Sequence, residues 1–102
     1  MRVRRQGVVD QGPPDQQGVP RYRYDFELFH FSDRGRTLVA RSYADTPGRA
    51  CFLHLAEGAA QRRLTPADLE DPLLLSAVAW LRSSGRCELA WLACDGYRNI
   101  AT

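Results

Sequence analysis

The stretch YRYDFELFHFSDRGRTLVARSYA, residues 22–44, decides the fold. Residues 22–32 are rich in aromatics and begin by alternating apolar with polar, the period of a strand. SDRGR interrupts the pattern and TLVARSYA (37–44) resumes it, so the segment reads as a β-hairpin. A three-residue loop Asp33-Arg34-Gly35, a type I turn with Gly35 left-handed, sets Ser32 opposite Arg36. Glu27 then faces Arg41 and Arg23 faces Asp45, while Leu28 meets Ala40, His30 meets Leu38 and Phe29 meets Val39. Opposite charges on one face and an apolar ladder on the other favour this register over a one-residue slip. The slip would set Leu28 against Arg41 and Glu27 against Ser42.

Downstream, DTPG (45–48) supplies a turn through Pro47 and Gly48. RACFLHLAE (49–57) follows as a third strand, with a short helix over 46–56, opened by Thr46-Pro47, as the alternative. Residues 58–63 read as loop. Thr65 is placed to cap a single turn over 66–70, with Pro66 at its first position. Pro72 cannot sit inside a helix, so Asp71 caps a second start and the main helix runs to about Ser84, where Gly85 stops it. Leu74, Ala77, Val78 and Leu81 make one apolar stripe, widened by Leu73 and Trp80, so this helix covers a sheet. CELAWLAC (87–94) is apolar on both faces apart from Glu88, the pattern of an interior strand. Asp95-Gly96 then turns the chain into a short fifth strand over 97–101.

Upstream, residues 1–20 hold four Gln, three Gly and three Pro, with no aromatic and no apolar period. Such a segment buries too little to offset its ordering entropy. It is expected to be a disordered tail in front of one domain over 21–102. The expected architecture is α+β: a two-layer, mainly antiparallel sheet of four to five strands, ordered β-β-β-α-β-β and covered by one helix.

Composition narrows the function classes. With 102 residues there is room for a single core, and a domain this small buries roughly 60–65% of its unfolded surface. No apolar run reaches the ~18 residues of a membrane span and no apolar leader stands at the start, which points to the cytoplasm. The 14 basic residues are all Arg and the net charge is +2, a pattern that a GC-rich bacterial genome also produces. Cys51, Cys87 and Cys94 are odd in number and follow no zinc spacing, so neither a disulfide framework nor a metal site is expected. On a regular strand Cys51 and His54, three apart, point to opposite faces. His30 reads as a core histidine. Phosphate-loop patterns are absent, no carboxylate pair stands out, and no cofactor is expected.

These exclusions leave a protein-interaction or binding module without catalysis, expected to be a homodimer. The candidate surface is Phe29, Phe31 and Val39 with Arg23 and Arg41, on the assumption that the helix covers the Tyr24–Phe26–Leu28 face. The alternative is an accessory nucleic-acid-binding protein that uses Arg21-Tyr22-Arg23-Tyr24 for charge and stacking. A third reading is a small-molecule pocket under the helix.

Overall fold

The computed structural model describes residues 1–19 and 22–100. In chain order its elements are β1 (Arg2–Gln11), β2 (Arg23–Asp33), β3 (Arg36–Tyr43), β4 (Arg49–Glu57) and β5 (Ala60–Arg62). A 3-10 turn (Pro66–Glu70), α1 (Pro72–Ser83), β6 (Glu88–Ala93) and β7 (Gly96–Asn99) follow. The fold is α+β and sheet-dominated, with one α-helix. The sheet order is β1-β2-β3-β4-β6-β7, and β5 adds beside β4. Among the described residues seven strands form where four to five were expected. The sheet is also mixed, because β4 and β6 pair in parallel. That pair requires a crossover, and the segment carrying α1 supplies it.

The β2–β3 hairpin corrects the expected register by one residue. Arg34 and Gly35 both have positive φ, 50° and 78°, and make a two-residue turn closed by the pair Asp33–Arg36. Two left-handed central residues define the type I′ turn, whose twist matches that of the flanking strands. Leu28 therefore faces Arg41 and Glu27 faces Ser42. Glu27 finds its cations elsewhere, in Arg5 of β1 at 2.7 Å and in Arg86 at 3.4 Å. Arg23 pairs with Asp25 of its own strand.

The segment expected to be a tail carries β1, which pairs with β2 over ten consecutive residues from Arg2–Ser32 to Gln11–Arg23. The expected domain start at Arg21 lies outside the described residues, as does Ala101 at the end of the expected fifth strand. The region expected to be loop over 58–63 contains β5.

Local signals hold where they are short-range. Asp71 caps α1 by accepting from the Leu73 N–H at 2.9 Å, and Asp68 accepts from the Thr65 N–H at 2.7 Å. Gly85, at φ 94°, closes the helix with two reversed bonds, Arg86 N–H to Leu81 O and Gly85 N–H to Arg82 O.

Packing decides which face is covered. The cross-strand row Arg5–Phe29–Ala40–Phe52–Trp91 and its neighbour Val3–Phe31–Leu38–Leu55 point at the helix. Leu74, Ala77, Val78 and Leu81 pack with them in one core, and Trp80 stands 5.6–5.7 Å from the Phe29 and Phe31 rings. Phe29 and Phe31 are 0% exposed. The helix thus lies on the face opposite to the one expected, and the proposed Phe29–Phe31 surface patch is the centre of the core.

A β-bulge in β4 skips Leu53 between the pairs Ala40–Phe52 and Val39–His54. It lets Phe52 and Leu55, three apart, both reach the core. The same extra residue brings Cys51 and His54 onto one face, against the expectation for a regular strand.

Candidate functional site

The face without a helix carries its own cross-strand rows. One runs Gln6–Leu28–Arg41–Cys51–Ala90–Asn99 across six strands, and another runs Arg4–His30–Val39–His54. Between β3, β4, β6 and β7 this face forms an open pocket of about 600 Å³, walled chiefly by Arg41, Tyr43, Cys51, Glu88, Tyr97 and Asn99.

Arg41 organises the pocket. Its guanidinium lies 4.9 Å from the centre of the Tyr43 ring, and its Nη2 donates to the Tyr97 hydroxyl at 3.1 Å. Its Nε is buried and has no hydrogen-bond partner among the described residues. A guanidinium stacked on one tyrosine and tied to another is already ordered for a planar anion, because the rotamer entropy of docking has been spent in advance. At the rim, Arg49 and Glu88 form an exposed ion pair at 3.3 Å. The ring centre of Tyr43 lies 6.1 Å from that of Tyr24 and 5.7 Å from that of Phe26, and the Tyr24 and Tyr22 ring centres are 5.6 Å apart. An aromatic track therefore leads from the pocket toward β2.

The thiol and the two imidazoles of this face are held neutral. Burial pushes the Cys51 thiol up to about 11 against the pull of Arg41 and Arg49, and its Sγ donates weakly to the Phe52 carbonyl. A thiol in that state is a poor nucleophile at neutral pH. Burial lowers His54, whose Nε2 lies 2.8 Å from the Gln61 amide nitrogen. Burial, then the charge of Arg4, lowers His30, which bonds Gln6 at 3.3 Å. Cys51 and His54 each bond elsewhere, although the bulge has placed them on one face. Among the described residues no group of three His, Cys, Asp or Glu is arranged to hold a metal.

Of the five residues singled out in the sequence, only Arg41 lines this pocket. Val39 shares its face but is buried in the row between His30 and His54. Phe29 and Phe31 are core, and Arg23 is exposed at the far end of β2. Tyr43, Cys51 and Tyr97 were missed. An Asp95-Gly96 turn would set Tyr97 opposite Cys94, on the face of Ala90; the observed turn is Cys94-Asp95, with Gly96 paired to Ala93, and it sets Tyr97 opposite Leu92 on that same face.

Fold and site together define a class: a one-helix α+β domain whose mixed sheet keeps one face open around an ordered arginine. No protein-family model, no curated protein and no solved structure matches the chain.

Proposed function

We propose that this domain is a non-catalytic protein-interaction module whose uncovered sheet face receives an acidic segment of a partner, anchored by Arg41. The observation that carries this reading is the Arg41 guanidinium, stacked on Tyr43, tied to Tyr97 and left with an unpartnered Nε. A carboxylate entering the pocket meets a preorganised fork above a partly apolar floor, the combination that gives orientation as well as energy. The protonated state of Cys51 supports a binding role for the pocket over nucleophilic chemistry. The free cysteines, two of them exposed, fit a reducing cytoplasmic setting. Beneath the helix the void is about 10 Å³, room for a single water at most, so the open face is also the better place for any small ligand.

The test is a two-dimensional amide NMR titration with a glutamate-rich peptide as the probe. Shifts should concentrate at Cys51, Ala90 and Asn99 and vanish in Arg41→Met while the remaining spectrum is retained. Shifts that persist unchanged in Arg41→Met would overturn the reading.

A second reading has its own observation, the run of tyrosine contacts Tyr22–Tyr24–Tyr43 beside Arg41. Stacked aromatics with a cation suit single-stranded nucleic acid. Submicromolar binding of a mixed single-stranded RNA, weakening steeply with salt, would favour it over the acidic segment. Absence of binding at low salt would retire it.

A further inference from the structure

The two edges of the sheet differ in kind. On one side β7 is a four-residue strand, while on the other β1 offers ten residues whose backbone is hydrogen-bonded to β2 along one edge only. Long open edges are normally blunted by charged side chains, proline, a bulge or a covering segment. Among the described residues β1 has only the first, in Arg2, Arg4, Arg5 and Asp10: it contains no Pro, its register with β2 runs without a shift, and no element covers its outer edge.

We propose that a second copy of this chain pairs with β1, antiparallel and edge to edge, with the two-fold axis passing between Gln6 and its counterpart. The symmetry restricts the choice. An antiparallel pair related by a two-fold must be turned about an axis perpendicular to the sheet, which keeps both helices on the same side. Residues that meet must therefore come from the same face, so the axis falls on a residue and not between two.

Three positions near the middle of β1 are open to it. With Arg5 on the axis, two arginines face each other. With Gly7 on the axis, Val9 meets Arg5 and Val3 meets Gln11, so no apolar pair forms. With Gln6 on the axis the strand is self-complementary. Arg2 meets Asp10 of the second copy, Val3 meets its Val9, Arg5 meets its Gly7, the two Gln6 amides exchange hydrogen bonds, and the stem of Arg4 lies beside its Val8.

The structure supplies a reason for three of these contacts. Val9 is 56% exposed, whereas Val3 already packs against the core, so the pairing extends the core across the axis. Gly7 has no atom within 4 Å of where a Cβ would stand, which leaves room beside the Arg5 side chain as it reaches Glu27 across Phe29. Arg2 and Asp10 form no ion pair within their own chain among the described residues. The pairing uses neither Arg41 nor the open pocket, so it stands or falls apart from the proposed function.

The experiment combines sedimentation equilibrium from low to high micromolar protein with a disulfide scan. The chain should sediment as a dimer. Asp10→Arg, which sets like charges together twice per dimer, should weaken association roughly tenfold. Adding Arg2→Asp should restore it, and Asp45→Arg, the same charge change off the edge, should leave it unaltered. In a Cys87→Ser, Cys94→Ser background, Gln6→Cys should oxidise to a covalent dimer, because directly opposed residues lie within disulfide reach. Arg5→Cys and Gly7→Cys should not. A monomer at every concentration would overturn the proposal and leave the edge to an extended segment of another protein. So would a dimer that cross-links through Arg5→Cys or Gly7→Cys instead, or one indifferent to Asp10→Arg.

Discussion

The two faces of this sheet are built from the same strands, residue by residue, yet they have opposite characters. On the helix side, Phe29, Phe31, Leu38, Ala40, Phe52 and Trp91 close into a dry layer under α1. Its polar groups stand at the margins, where Glu27 joins Arg5 and Arg86, and Arg36 grips Asp71 in a two-pronged pair at 2.6 and 3.0 Å. On the other side Arg41, Cys51, His30 and His54 sit within the rows themselves, half-buried by tyrosines and leucines. A face that holds a buried, unpartnered guanidinium nitrogen in its middle is poor at sealing a core and well suited to meeting something else. The comparison teaches that apolar content alone does not choose the covered face. Glu27 and Arg5 share the helix side and remain at its edge, where water and each other can satisfy them.

That contrast can be broken by mutation, and the largest effect belongs to the dry side. Phe31→Ala should cost about 3–5 kcal/mol in denaturant unfolding, the range for emptying a packed aromatic site. Tyr24→Ala on the open face should fall within about 0.5 kcal/mol, as for surface substitutions. Equal costs for the two would erase the distinction between the faces.

The junction of helix and sheet comes next. Asp71→Ala removes the cap of α1 and the Arg36 pair together, so about 1–3 kcal/mol of stability should be lost. Asp71→Asn, which keeps a capping oxygen, should recover part of it. Identical losses for the two variants would show that the charge pair carries the whole effect.

Acid should loosen the same junction. The Arg62 guanidinium, 2.8 Å away, and the Thr65 N–H hold the Asp68 carboxyl down to about 2, below its ordinary 3.8. A group depressed in the folded state stabilises above its unfolded value and ceases to do so as pH falls through the folded one. Its contribution, about 1–2 kcal/mol after allowing for the half-exposed Arg62, should therefore disappear between about pH 4 and 2. His30 and His54, lowered by burial, add a loss of the same sign that begins nearer neutrality. Asp68→Asn should flatten the steep acid limb, and a limb that keeps its slope would assign it to other carboxylates.

The smallest effect sharpens the comparison most. Arg41→Met should alter stability by no more than about 0.5 kcal/mol, since it exchanges a stacked cation for an apolar chain of similar length. The same variant should lose the acidic-peptide response. A large loss of stability would make Arg41 a structural member of the sheet.

Much of the chain was legible because its signals are short-range. Thr65-Pro66, Asp71-Pro72 and Gly85 act within a turn of where they stand, and the structure starts and stops its helical segments at those places. β4, β6 and a hairpin after β6 were likewise readable from runs of a few residues, although the turn falls one residue earlier than expected, on Cys94-Asp95, with Gly96 already in β7. The site was legible in one residue, Arg41, because the pocket around it is assembled from strands whose mutual alignment no short stretch encodes.

The sequence by itself determined that β2, β3, β4 and β6 form, where the helix begins and ends, and that one apolar stripe must cover a sheet. Only the tertiary structure decided the hairpin register, the covered face and the fate of residues 1–20. The register turned on whether Arg34, a residue with a Cβ, would adopt positive φ beside Gly35, a local cost that the whole sheet repays. A slip of one residue exchanges the faces of a strand relative to its neighbours, so the helix side followed from that choice. β1 shows no apolar period of its own, and its order comes from the waiting edge of β2 together with the contacts of Val3 and Arg5. Propensity is a property of a segment, whereas a strand at the edge of a sheet is stabilised by a neighbour far away in the chain.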